Sequence, residues 1–234
     1  MKKISLLAVT LTVTTVLGLW VHSMEAGEHR NVTLNYGAGQ SLSLTVVLPV
    51  GYTADTEYPL LFALPPGPGT RDMVNAFLGN YWLDEADRRG YILVSPAVLG
   101  SSLEDSASAV VDAVFNWVDE NLSYDPARVT LAGQSNGGIG AFHVARAEPD
   151  RFGSIVVMPG GYGSAGDLAQ LSGKPVLLAV GEQDTKWVVL THRTRDLLVL
   201  AGAEPQVDIM PRAGHVFLYP TDSLFDWIER SHPE

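Results

Sequence analysis

The stretch VTLAGQSNGG, residues 129–138, decides how the rest of the chain is read. Val129 to Ala132 has strand character, and Asn136 to Ala147 has helical character. Between them Gly133, Ser135 and Gly137 stand in G-x-S-x-G spacing. A strand that turns directly into a helix at a serine forces that serine into strained backbone geometry. Glycines two residues before and after remove side chains that would collide in so tight a turn. The hydroxyl is then presented at the carboxyl end of a sheet, beside a helix N-terminus. There the amide of Asn136 can face a developing oxyanion.

Working outward, apolar runs of strand length alternate with longer segments of helical period. Residues 32–36 and 41–48 read as two strands joined by a short hairpin connection, and Pro59–Leu64 is a continuous apolar run, as in a strand buried on both faces. Residues 73–89 read as one helix, 91–95 as a strand, and 106–122 as a helix whose Val110, Val114, Trp117 and Val118 share a face. Strands are expected at 155–158, 175–180 and 207–210, and helices at 187–201 and 221–230. A hairpin followed by repeated strand–helix units predicts an α/β fold. Its sheet is mostly parallel, with an antiparallel N-terminal hairpin and helices on both faces. The short gaps leave no room for a large cap domain, so residues 24–234 read as a single domain.

A serine hydroxyl is a weak nucleophile and needs a base held by an acid. Pro175–Val180 runs into Gly181, Glu182, Gln183 and Asp184, which puts Asp184 on a loop past a strand end. The last strand leads through Pro211 to Gly214 into His215, again beyond a strand. Ser135, Asp184 and His215 therefore fall at the same sheet edge and in the chain order such a turn demands. Glu182 and Asp222 compete for the acid position: Glu182 lies nearer the strand end, and Asp222 follows the histidine and suits the cap of the last helix. The remaining histidines read as bystanders: His22, His29 and His232 lie near the chain ends, and His143 sits two turns past Ser135. His192 lies on the helix after Asp184, where a surface role is expected.

A second oxyanion donor is expected after the 59–64 strand, in Pro65-Pro66-Gly67-Pro68-Gly69-Thr70. Prolines carry no N–H, which leaves Gly67, Gly69 and Thr70, with Gly67 the first choice. Trp82, Tyr162 and Trp187 lie on segments expected near this edge. They are candidates for apolar contact with an acyl or aromatic group, with ordinary packing as the alternative.

Composition narrows the chemistry further. The 234 residues carry 26 acidic and 15 basic side chains, a formal charge of −11, which disfavours binding to a phosphate backbone. With no cysteine, thiolate nucleophiles, disulfides and thiolate metal sites are excluded. No phosphate-binding loop, H-E-x-x-H or calcium loop occurs, so neither a metal nor a cofactor is expected. At the N-terminus, Lys2 and Lys3 precede an apolar run from Ile4 to Trp20, and Val21-His22-Ser23 places small residues at −3 and −1 of a cleavage site. This is the layout of a signal peptide, residues 1–23, with cleavage as late as Ala26 as a second option. Cleavage after Ser23 removes two lysines and no acid, so −11 becomes −13. The expected location is secreted or periplasmic; the alternative is a membrane anchor over residues 4–20.

Three segments together carry a family resemblance. Tyr124-Asp125-Pro126-Ala127-Arg128-Val129, then Gly133 to Gly138, then Glu148-Pro149-Asp150-Arg151-Phe152 resemble the α/β-hydrolase superfamily. More narrowly, they are similar to the secreted esterase branch that includes polyhydroxybutyrate depolymerases, feruloyl and acetylxylan esterases and predicted peptidases. The resemblance implies Ser135 as nucleophile, Asp184 as acid and His215 as base. Where many relatives carry His-Gly after the third strand, this chain carries Pro65-Pro66. The expectation is a serine hydrolase of small or polymeric carboxylic esters. A serine peptidase of the same fold and an inactive hydrolase-fold binding protein are the alternatives.

Overall fold

The computed structural model describes residues 27–37, 39–163 and 168–232. The expected signal segment lies outside the described residues. Among the described residues, no helix is long and apolar enough to cross a membrane.

Among the described residues, eight strands form one sheet: β1 (His29–Tyr36), β2 (Gln40–Val47), β3 (Tyr58–Leu64), β4 (Ile92–Pro96), β5 (Tyr124–Gly133), β6 (Ser154–Val157), β7 (Pro175–Gly181) and β8 (Glu204–Met210). Their spatial order is β1-β2-β4-β3-β5-β6-β7-β8. β2 pairs antiparallel with β1 and β4, and every other pairing is parallel. The described residues also form six α-helices: α1 (Arg71–Tyr81), α2 (Leu83–Arg89), α3 (Leu103–Asn121), α4 (Asn136–Ala147), α5 (Thr185–Leu200) and, after the last strand, α6 (Thr221–Arg230). This is the α/β arrangement expected from the alternation of apolar runs.

The apolar period of two explains the layering. Along β3, Leu60, Phe62 and Leu64 enter the core under α3, α4 and α5, while Leu61 and Ala63 enter the core under α1, α2 and α6. Parallel register then lines up the strand ends. Leu64 pairs with Gly133, Gly133 with Val157, and Gly181 with Met210. The loops after β3, β5, β7 and β8 therefore leave the sheet along one edge.

Most boundaries differ from the sequence reading by one to three residues, and two differences are larger. Residues 73–89 form two helices, because the chain bends at Trp82, whose ring packs edge-on between Phe77 and Phe225. β5 begins five residues earlier than expected. Asp125 accepts from the Ala127 amide at 2.9 Å and pairs with Arg128 at 2.7 Å, and Tyr124 comes into register beside Tyr58.

Candidate active site

Ser135 sits at the N-cap of α4 with φ 55° and ψ −114°, a left-handed backbone that non-glycine residues rarely adopt. The neighbouring glycines show what holds it there. A Cβ on Gly133 would fall 2.2 Å from the Gly137 carbonyl oxygen, and one on Gly137 would fall 2.2 Å from that of Leu64. The turn thus closes backbone against backbone. The Ser135 amide donates to the Pro159 carbonyl at 2.6 Å, so the strained residue is tied to the loop after β6.

Two further loops converge on the hydroxyl. Ser135 Oγ lies 2.8 Å from His215 Nε2, and His215 Nδ1 lies 2.6 Å from Asp184 Oδ2. An ionised carboxylate only accepts, so Nδ1 carries the proton and Nε2 is left to accept from the serine. The loops bearing Asp184 and His215 abut directly: a Cβ on Gly181 would fall 2.0 Å from the Gly214 carbonyl oxygen, and the Gln183 amide donates to Ala213 at 2.8 Å.

The competing acids go elsewhere. Glu182 accepts from the Arg212 amide at 2.7 Å, where Arg212 takes a positive φ of 59°. Asp222 accepts from the Ser223 amide in the first turn of α6.

Next to Ser135, α4 begins at Asn136, so this amide has no acceptor within the helix. The Asn136 side chain bridges two loops: its Nδ2 donates to the Gly67 carbonyl at 3.1 Å and its Oδ1 accepts from the Ser101 amide at 2.8 Å. Gly67 itself has φ 61° in a turn closed by the Gly69 amide donating to Pro66. A proline pair is tolerated before it because no N–H is asked of those positions.

The three aromatic candidates part company. Trp187, in the first turn of α5, places its ring 5.3 Å from that of His215. Trp82 is corrected: it is 1% exposed in the core beneath α1, α2 and α6, because an indole at a helix bend fills space between Phe77 and Phe225. Tyr162 is also turned away. Its ring packs on Phe142 and His143, its hydroxyl accepts from Arg146, and its amide donates to Thr194 at 2.8 Å. Phe142 and His143 lie about two turns down α4 from Ser135, roughly 10 Å away, and Arg146 lies a turn further.

The site is open, with the side chain of His215 40% exposed and that of Asp184 15% exposed. Val216 and Leu218, just after His215, and Leu99, on the loop against Gly69, are exposed aliphatic side chains. A cavity of about 280 Å³ lined by His29, Leu48 and Tyr91 lies at the other end of β4, where Val47 pairs with Leu93, and contributes nothing to this edge.

A model of the family Esterase, described as "Putative esterase", matches residues 37–214. The chain belongs to the Esterase family. Family membership identifies an ester hydrolase. No curated protein sequence matches the chain.

Solved structures show the same fold. A ferulic acid esterase from the anaerobic fungus Anaeromyces mucronatus superposes with TM-score 0.68 at 14% identity, covering 89% of this chain and 91% of that one. The feruloyl esterase module from Clostridium thermocellum gives 0.65 at 16%, covering 87% of each chain. An acylaminoacyl peptidase from Pyrococcus horikoshii gives 0.63 at 13%, covering 82% of this chain but 38% of that one. These likenesses show that this member of the Esterase family has the α/β-hydrolase fold.

Proposed function

We propose that the protein hydrolyses carboxylic esters through a covalent acyl-enzyme, with Ser135 as nucleophile, His215 as general base and Asp184 as the acid that orients it. The observation that carries this is the continuous hydrogen-bond chain Ser135–His215–Asp184, with links of 2.8 and 2.6 Å. As the Ser135 oxygen bonds to the substrate carbonyl carbon, its proton passes to His215 Nε2. The imidazolium, paired with Asp184, then protonates the leaving alkoxide as the C–O bond breaks. Water attacks the acyl-serine by the same route and restores the hydroxyl. The Asn136 and Gly67 amides are the proposed oxyanion donors, one such donor being worth roughly 3 kcal/mol of barrier.

Trp187 beside His215, with Val216 and Leu218 exposed on the segment that follows the histidine, favours an ester whose acyl or alcohol group is apolar and reaches beyond the open site. Mutation Ser135→Ala is expected to abolish hydrolysis of p-nitrophenyl esters and labelling by a fluorophosphonate. Retained activity in that variant would overturn the reading, and an unlabelled wild type would favour a binding protein. The peptidase fold-likeness supports a second reading, cleavage of acylated peptides. Parallel ester and peptide assays separate the two. We further infer export of a single domain from residue 24 onward, on the basic, apolar and small-residue order of residues 2–23. N-terminal sequencing of the mature protein tests it.

A further inference from the structure

Two loops must stay in register for Ser135 and His215 to meet, and one buried hydroxyl joins them. Gln134, immediately before the nucleophile, is 6% exposed and donates from Nε2 to the Tyr81 hydroxyl at 2.9 Å. Tyr81, 3% exposed, donates in turn to the Phe217 carbonyl at 2.5 Å, two residues past His215. The hydroxyl therefore uses one lone pair and its only proton on the two halves of the site. Burial pushes the Tyr81 phenol up from its ordinary pKa, which keeps the proton available for donation.

The histidine segment needs such a tether. Residues 215–219 belong to no strand or helix, and they alternate outward at Val216 and Leu218, each 76% exposed, and inward at Phe217 and Tyr219. Besides the Tyr81 link, Tyr219 is fastened by its hydroxyl to Asp208 on β8. Tyr81 is also the last residue of α1, whose first turn is capped by Thr70 at the end of the Gly67 loop. One helix thus spans from the proposed oxyanion loop to the junction of the other two loops.

We propose that Tyr81 is a positioning residue, which with Gln134 holds the His215 segment at hydrogen-bonding distance from Ser135. Catalysis is steep in such distances: a displacement of about 1 Å lowers rates on the order of a hundredfold. The inference rests on the triad reading above.

The test measures kcat and KM for p-nitrophenyl acetate, the pH profile of kcat/KM, fluorophosphonate labelling and Tm for Tyr81→Phe, Gln134→Met and the double variant, all in the full chain. Tyr81→Phe keeps the ring and loses both links. It is expected to lower kcat about tenfold or more with KM within about twofold, and to displace the limb of the pH profile that reports His215. Gln134→Met, which leaves the Tyr81–Phe217 link intact, is expected to lose less. The double variant should fall no further than Tyr81→Phe, because the relay is already cut. Wild-type kcat and pH profile in Tyr81→Phe, whatever its Tm, would overturn the proposal. If that variant does not fold, wild-type kcat in Gln134→Met does so. Ser135→Ala separates the two readings: if it stays active the triad fails, whereas a dead Ser135→Ala beside a fully active Tyr81→Phe sinks the relay alone.

Discussion

At the scale of single residues, the informative contrast is between two carboxylates two positions apart. Asp184 reaches His215 at 2.6 Å, while Glu182 turns to the Arg212 amide and caps the bend that delivers the histidine. Replacing Asp184 by Asn keeps the shape but removes the obligatory acceptor, so the imidazole no longer holds its proton on Nδ1. Ester turnover should fall on the order of 10³–10⁴-fold in kcat. Glu182→Gln keeps an oxygen to accept from Arg212, and kcat should stay within about twofold of wild type. Steady-state kinetics on one ester reads both, and equal losses in the two variants would reopen the choice of acid. The chain order Ser135, Asp184, His215 sets Asp222 aside, but Glu182 fits that order equally, and only the hydrogen-bond geometry distinguishes the two carboxylates. The aromatic residues were no more legible in the sequence. Neither Trp82 nor Tyr162 differs in sequence signal from Trp187, yet packing with Phe225 and Phe142, both far along the chain, draws the first two inward.

At the scale of elements, α4 illustrates how glycines set a helix against a sheet. Gly137 lies where a Cβ would meet the Leu64 and Pro65 carbonyls at 2.2 and 2.5 Å, neither of which can yield without moving β3. Gly137→Ala should therefore cost about 1–3 kcal/mol or more in urea denaturation and lower activity as the Ser135 turn shifts. Gly79 is the control within the same molecule. It lies inside α1 with open space around its Cβ direction, and Gly79→Ala should stabilise by about 0.5–1 kcal/mol by removing backbone freedom from the unfolded chain. A stabilised Gly137→Ala would refute the packing account. The boundaries of α4 and α6 follow directly from local pattern, but the split of residues 73–89 does not. An apolar helix face continues through Trp82, and only the indole's fit against α6 bends the chain there.

At the scale of the whole molecule, the last described residue matters to the sheet. His232 is buried, with Nε2 2.9 Å from Thr130 Oγ1 on β5, so the chain end is fastened beneath β5 and β6. Burial pushes its pKa below the ordinary 6.5, and burial does the same at His143. A histidine depressed in the folded state favours folding fully above its unfolded pKa. That contribution is lost as pH falls from about 6.5 toward the folded value, because the unfolded chain takes up the proton first. Stability should decline as pH falls below about 6.5, and His232→Gln should flatten that decline by up to one proton, about 1.4 kcal/mol per pH unit. Urea titrations across that range measure the slope, and an unchanged slope in the variant would rule out His232 as the source.

Local sequence carries what depends on neighbours along the chain: the strand–serine–helix turn, the alternation that puts β3 residues into both cores, and the chain order of Ser135, Asp184 and His215. Such features repeat with the backbone's own period, or stand a fixed few residues from a strand end. The tertiary structure alone decided which side chains meet across the chain: Trp187 beside His215, Trp82 in the core, His232 under β5, and Tyr81 between Gln134 and Phe217. Tyr81 and Phe217 are 136 positions apart in the sequence, and no local period carries the register of contacts that close only when the layers pack.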